Sequence, residues 1–355
     1  MPPTASVRSL RSIAAPALLA CLCVALGSLA LGPVARAHAA APCVVAAPAC
    51  TDWVGLGGGP ARSLVYRTHA LDARNETAVR ALVVVHGAGR DADSYFRSAV
   101  AAAFLAGALE DTVVIVPRFA SNDGAACKDA LAPAEVNWPC VANSWRTGGS
   151  AAGDERLTSF DLMDEILEKL ARKDVFPKLR RVVVAGHSAG GQFASRYQMA
   201  NAVHDALGVT VSYVVSNASS YAYLDAERPG GAGELRPFAD RRNCTTYDAW
   251  PYGLQGRTGY AARVADDQLR KQLAERPATY LLGGLDTLPL ANFDASCPAM
   301  AQGPHRLARG EAFAAYVGKK YGAAHTVVVI PLCGHNARCM FTADAALPLL
   351  FPPTP

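Results

Sequence analysis

From residue 81 onward, short runs of aliphatic and β-branched residues alternate with stretches whose apolar positions recur every three or four residues. This alternation predicts a parallel sheet built from βαβ units. The expected strands are 81–85, 112–116, 181–185, 209–215, 279–282 and 326–330. Their apolar character is almost unbroken, which suits strands covered on both faces. Phe160, Met163, Ile166, Leu167 and Leu170 share one helical face behind Thr158 and Asp161, which are spaced for reciprocal capping. Further helices are expected from 189 towards 202 and around 307–321. Ahead of these units, residues 45–66 predict one or two antiparallel edge strands, with turn chemistry at Gly57-Gly58-Gly59-Pro60.

Two stretches break the alternation. Residues 119–150 hold Cys127, Trp138, Cys140 and Trp145, and residues 223–277 are rich in Gly, Pro, Arg and Tyr. Long insertions in a compact domain are commonly functional. In a parallel sheet they emerge at the carboxyl ends of the strands, where ligands bind, so at least one is expected to line the site.

The N-terminus changes the picture of charge and compartment. Arg8 and Arg11 precede an apolar run over 13–31, and the small residues of Ala35-Arg36-Ala37-His38-Ala39 follow. This is the pattern of an export signal over residues 1–39, cleaved after Ala37 or Ala39. The run is long enough to be weighed against a membrane anchor, but the small-residue site favours cleavage. A lipoprotein reading at Leu18-Leu19-Ala20-Cys21 is weakened because the apolar run continues past Cys21. Residues 40–355 then form one catalytic-size domain, secreted or periplasmic, with no stable membrane insertion.

Loss of Arg8, Arg11 and Arg36 lowers the basic count from 34 to 31, against 30 acidic residues. A chain so close to neutral implies neither nucleic acid nor an anionic membrane as partner. Of ten cysteines, Cys21 and Cys23 leave with the signal. The eight that remain are an even number in an oxidising compartment, which reads as disulfides. Zinc is the rival, but there is no Cys-x-x-Cys pair and the histidines do not cluster with the cysteines. Proximity along the chain pairs 43 with 50, 127 with 140, 244 with 297 and 333 with 339.

The strongest chemical signal is Gly186-His187-Ser188-Ala189-Gly190-Gly191, between an expected strand and an expected helix. A serine at so sharp a turn needs neighbours with almost no side chain two residues before and after, and Gly186 and Gly190 meet that need. The helix start beyond aims free N–H groups and a positive dipole end at developing negative charge. A second glycine-rich turn, His86-Gly87-Ala88-Gly89-Arg90, directly follows the strand at 81–85.

Over roughly residues 60–350 these motifs resemble the α/β-hydrolase superfamily. The resemblance implies an α/β-hydrolase fold: a mostly parallel twisted sheet, helices on both faces, and loop insertions at the carboxyl ends of the strands, here about 119–150 and 223–277. It implies Ser188 as nucleophile and an oxyanion hole from the backbone N–H groups of Ala88 (or Gly89) and Ala189. It also implies a downstream order of acid and then histidine. Of His204, His305, His325 and His335, only His335 follows the last strand, which makes it the candidate base; His305 and His325 read as surface or capping residues. His187 reads as a packed core histidine. For the acid, Asp286 closes the turn after the strand at 279–282, with Asp294 and Asp225 as rivals.

A serine in this position argues against dehalogenase or epoxide-hydrolase chemistry, whose familiar members use an aspartate. No cofactor and no metal are expected, and no phosphate-cradling motif is present. The secreted, cysteine-rich pattern and the His-Gly-Ala-Gly turn are similar to feruloyl-esterase-like and polyhydroxyalkanoate-depolymerase-like enzymes. The expected function is therefore hydrolysis of small-molecule or oligomeric carboxylic esters. A serine peptidase and a non-catalytic binding protein on the same fold are the alternatives. Ester against peptide turnover separates the first, and a missing serine, histidine or oxyanion turn would have marked the second.

Overall fold

A computed structural model describes residues 41–124, 127–230, 234–290 and 292–353. The expected signal segment, 1–39, lies outside them. Among the described residues, no helix is long and apolar enough to cross a membrane.

The chain opens with the antiparallel hairpin β1 (Thr51–Gly55) and β2 (Arg62–Arg67), turned at Gly57 and Gly58, both at positive φ. Strand β3 (Arg80–Val85), helix α1 (Ala92–Leu105) and strand β4 (Thr112–Pro117) follow, then a small hairpin of β5 (Ser150–Ala151) and β6 (Asp154–Thr158). Helix α2 (Ser159–Ala171) leads to β7 (Arg181–His187), α3 (Ala189–Ala200) and β8 (Thr210–Ser216). A second small hairpin, β9 (Glu227–Pro229) with β10 (Leu235–Pro237), precedes α4 (Asp266–Glu275), β11 (Ala278–Gly283), α5 (Cys297–Met300), α6 (Arg306–Tyr321), β12 (Thr326–Ile330), α7 (Ala337–Thr342) and α8 (Leu347–Leu350).

One eight-stranded sheet runs in the order β1-β2-β4-β3-β7-β8-β11-β12. It is antiparallel from β1 through β2 to β4 and parallel from there on. Apolar residues cover both faces. Ala81, Val83 and Val85 of β3 pack with Phe160 and Met163 of α2, Phe193 of α3, Leu269 of α4 and Phe313 of α6. Leu82 and Val84 pack on the other side with Phe96 of α1, Met340 of α7 and Leu350 of α8. The unbroken apolar runs are explained by this two-sided cover. The expected capping pair also forms: the Thr158 hydroxyl accepts from Asp161 N–H while the Asp161 carboxylate accepts from Thr158 N–H.

Three expectations need correction. Strand β12 is not covered on both faces: it closes the sheet, pairs only with β11, and leaves Val327 and Val329 exposed. Residues 223–277 are not one irregular insertion, because their last part is α4, packed on α3 and α6 as the helix that leads into β11. And α1, whose apolar face is made largely of alanine, has no place among the helices read from periodicity.

The four disulfides join the neighbours expected: Cys43–Cys50, Cys127–Cys140, Cys244–Cys297 and Cys333–Cys339.

Candidate active site

Ser188 stands between β7 and α3 at φ 60° and ψ −117°, a backbone region that L-residues rarely occupy. The turn is tight enough to dictate its flanks. A Cβ on Gly186 would collide with the backbone of Gly190, and one on Gly190 with the carbonyl of Val85 in β3. Ser188 N–H donates to the Ser216 carbonyl at the end of β8 (3.0 Å), which fixes the strained residue to the neighbouring strand.

From two other strand ends come the partners. His335 Nε2 lies 2.9 Å from Ser188 Oγ, and His335 Nδ1 lies 2.7 Å from Asp286 Oδ2. Asp286 is buried in the turn after β11, its N–H bonded to the Gly283 carbonyl. Three contacts, among others, hold the His335 loop after β12. Leu285 N–H donates to Cys333 O, Asn336 caps α7 by accepting from Cys339 N–H, and the Cys333–Cys339 bond closes the loop around the imidazole.

The rivals for the acid are engaged elsewhere. Asp294 accepts from Tyr252 OH at 2.8 Å, and Asp225 from Tyr316 and Tyr321 and from Lys320. Of the other histidines, His305 caps α6 by accepting from Ala308 N–H. His325 is not a surface residue: it bonds Tyr280 OH and the Arg276 carbonyl, and burial lowers its proton affinity.

An open cleft of about 740 Å³ reaches Ser188 and His335, lined also by Gly87, Ala88, Tyr95 and Asn292. Among the described residues, none of 119–150 or 223–277 lines it, contrary to expectation. Trp138 and Trp145 of the first stretch are wholly buried, with Trp145 stacked on Phe119. Both belong to the core that also holds Phe119 and Phe193.

The turn after β3 is braced from behind. His86 is wholly buried, and desolvation lowers its pKa to about 4, so it is neutral. Its Nε2 accepts from Phe119 N–H, leaving the ring proton on Nδ1 to be donated to the Gly87 carbonyl at 2.8 Å. Arg90, at φ 56°, donates to the carbonyls of Phe119, Trp138 and Pro139, binding the turn to residues 119–150. Among the described residues, the amides of Ala88 and Ala189 donate to no protein acceptor. His187 is buried beside His335, 4.6 Å between ring centroids, with Nδ1 3.1 Å from Tyr95 OH. Burial drives its pKa well below the ordinary histidine value, and the neighbouring His335 and Arg306 add to the effect.

Two contributors escape a reading of the chain alone. Asn217, just past β8 at φ 45°, accepts from Gly283 N–H (2.7 Å) and donates to Gly334 O (3.1 Å). Its place directly after an expected strand was the available signal. Arg306 Nη1 lies 3.4 Å from Asp286 Oδ1. Its signal was a charge on the same helical stripe as Arg309, Phe313 and Val317. The cysteines 127 and 140, near Asp123, form a group of metal-ligating type, but their sulfurs are committed to a disulfide.

No curated protein sequence matches the chain significantly. Among solved structures, the chain is similar to poly(aspartic acid) hydrolase-1 from Sphingomonas sp. KT-1, at 25% identity and a TM-score of 0.58, covering 85% of this chain and 98% of that one. It is also similar to a poly(3-hydroxybutyrate) depolymerase from Bordetella parapertussis, at 20% identity and a TM-score of 0.56, covering 82% and 89%. The model of the alpha/beta hydrolase family matches residues 82–347, three quarters of the sequence, and on that match the chain belongs to the α/β-hydrolase family.

Proposed function

We propose that the protein is an exported serine hydrolase that cleaves carboxylic esters through an acyl-enzyme on Ser188. The observation that carries this reading is the hydrogen-bonded chain Ser188–His335–Asp286, at 2.9 and 2.7 Å, ending on a serine held in strained backbone above an open cleft. A serine hydroxyl is a weak nucleophile at neutral pH and needs such a base, itself oriented by a third group.

In the proposed reaction Ser188 Oγ attacks the ester carbonyl as His335 Nε2 takes its proton. Asp286 holds the Nδ1–H tautomer and offsets the imidazolium charge. The Ala88 and Ala189 amides, which among the described residues have no protein acceptor, receive the oxyanion. His335 then protonates the leaving alcohol, and water repeats the sequence on the acyl-enzyme. Export is supported by four disulfides, which persist in oxidising compartments.

Amide cleavage is the second reading, because the poly(aspartic acid) hydrolase at 25% identity acts on a polymer joined by amide bonds. The test is turnover of 4-nitrophenyl esters of increasing acyl length beside matched anilides and poly(aspartic acid), together with labelling by a fluorophosphonate. Ester turnover that vanishes with labelling in Ser188→Ala is the expected result. Faster anilide or poly(aspartic acid) turnover would replace the ester reading, and labelling that survives in the alanine variant would remove Ser188 as nucleophile.

A further inference from the structure

Asp286 has two carboxylate oxygens, and His335 occupies one of them. Oδ2 faces His335 Nδ1, while Oδ1 faces Arg306 Nη1 at 3.4 Å. Neither side chain of that ion pair has any solvent exposure. Arg306 Nε also donates to Ser219 Oγ at 2.8 Å, and its guanidinium lies over the Phe293 ring, 5.2 Å from the centroid. A serine, an imidazole and a carboxylate complete the proton relay without it. Burying a second charge is costly unless the charge is used or well paired.

We propose that Arg306 is a positioning residue acting through Asp286: it fixes the carboxylate rotamer that presents Oδ2 to His335, and its permanent positive charge keeps the imidazole unprotonated to lower pH. The inference rests on His335 being the base. A guanidinium remains charged across the working pH range and is more rigid than an ammonium, so both effects are fixed by the fold.

The groups around the Asp286–His335 pair leave the cation from α6 in a distinct position. His187 from β7 is neutral at the pH of interest, because burial lowers its proton affinity. Tyr95 from α1 and Tyr221 after β8 are neutral phenols, each pushed up by burial. Arg309, also on α6, is turned to the carbonyls of Gly303, Ser219 and Asp294. Asp294 is bonded to Tyr252, and Arg338 on the base's own loop is exposed. Among the described residues, Arg306 is the cation in contact with Asp286. Like charge disfavours the imidazolium, so the acid limb of the rate profile, where protonation of His335 silences the base, sits at lower pH with Arg306 than without it.

The test compares kcat/KM for 4-nitrophenyl butyrate between pH 5 and 9 in wild type, Arg306→Lys and Arg306→Gln, with melting temperatures alongside. Lysine keeps the charge, while glutamine keeps hydrogen-bonding capacity and loses it. The glutamine variant should move the acid limb up by about one pH unit, and the lysine variant should leave it near the wild-type position. Should Arg306→Gln not fold, the double variant D286N/R306Q, in which the pair is neutral, is compared with Asp286→Asn alone. The single variant leaves the buried Arg306 charge without the Asp286 carboxylate, so the double variant should be several-fold faster. Coinciding acid limbs in wild type and Arg306→Gln, or a double variant no faster than the single one, overturns the proposal. His335→Asn that retains activity would instead overturn the assignment of the base, and is read separately.

Discussion

The side-chain amide of Asn217 donates to the backbone carbonyl of Gly334 at 3.1 Å, while its oxygen accepts from Gly283 N–H at 2.7 Å. One residue at the end of β8 thereby ties the end of β11, ahead of Asp286, to the loop of His335, two segments about fifty residues apart in the chain. Asn217→Asp keeps the acceptor towards Gly283 but sets a carboxylate oxygen against the Gly334 carbonyl. It is expected to lower kcat about 10- to 100-fold with little change in KM, since a base displaced by a fraction of an ångström loses rate. Steady-state kinetics on the folded variant check this. An unchanged kcat would show that the other restraints on the loop suffice.

The acids are separable by a pair of variants. Asp286→Asn should lose roughly three to four orders of magnitude in kcat, as loss of a tautomer-fixing carboxylate does in such relays. Asp294→Asn, whose residue meets Tyr252 and Ser296 rather than His335, should stay within a few-fold of wild type. The opposite ranking in ester turnover would move the acid to Asp294.

How far the chain could be read depended on whether a residue's surroundings are local. The strands at 81–85 and 181–185 are legible because cover on both faces forces unbroken apolar runs, and the Ser188 turn because its steric demand falls on glycines two residues away. Asp286 and His335 could be ranked because each follows a strand at the same end of the sheet. Arg306 and Asn217 could not, since their roles arise from contacts to segments 20 to 117 residues distant. The alanine-rich face of α1 carries too weak an apolar period to stand out, and that hid Tyr95 as well. Residues 119–150 misled in another way: cysteines and tryptophans in a long stretch read as ligand-facing, yet Trp138 and Trp145 complete the core.

Acid stability depends on opposed buried groups. His86 titrates near 4 in the fold and His187 well below its ordinary value, against about 6.5 for free histidine. Their contribution is present above about pH 6.5 and is lost as pH falls towards 4. Asp164, which accepts from Tyr197 OH and Tyr260 OH at 2.6 Å each, has the reverse sign. Burial raises its pKa from 3.8 to about 6, so the fold takes up a proton there and gains stability as pH falls from about 6 to about 4. That gain is on the order of 3 kcal/mol at most. Asp164→Asn removes it, so the melting temperature of this variant should fall more steeply between pH 7 and pH 4.5 than that of wild type. Parallel melting curves against pH would show that Asp164 does not titrate in this range.

The last prediction concerns the Cys333–Cys339 bond, which spans only six positions and encloses His335. Closing so small a loop restricts the unfolded chain little, so its contribution to global stability is about 2 kcal/mol. Its effect on the base is of another kind. Gly334 precedes the imidazole and Ala337 begins a helix of only six residues, so without the bond the segment is held by the Leu285–Cys333 and Asn217–Gly334 hydrogen bonds and the Asn336 cap. The Asn336 cap is exposed, and the proposed nucleophile needs the imidazole at hydrogen-bond distance and in line. Replacing both cysteines with serine should therefore lower kcat by at least tenfold while the melting temperature falls by only a few degrees. The measurement is kcat and thermal melting on the same preparation, with the disulfide first verified in wild type by peptide mapping. A double variant with unchanged kcat would show that the three hydrogen bonds alone hold His335 in register, and the bond would then be an anchor for α7.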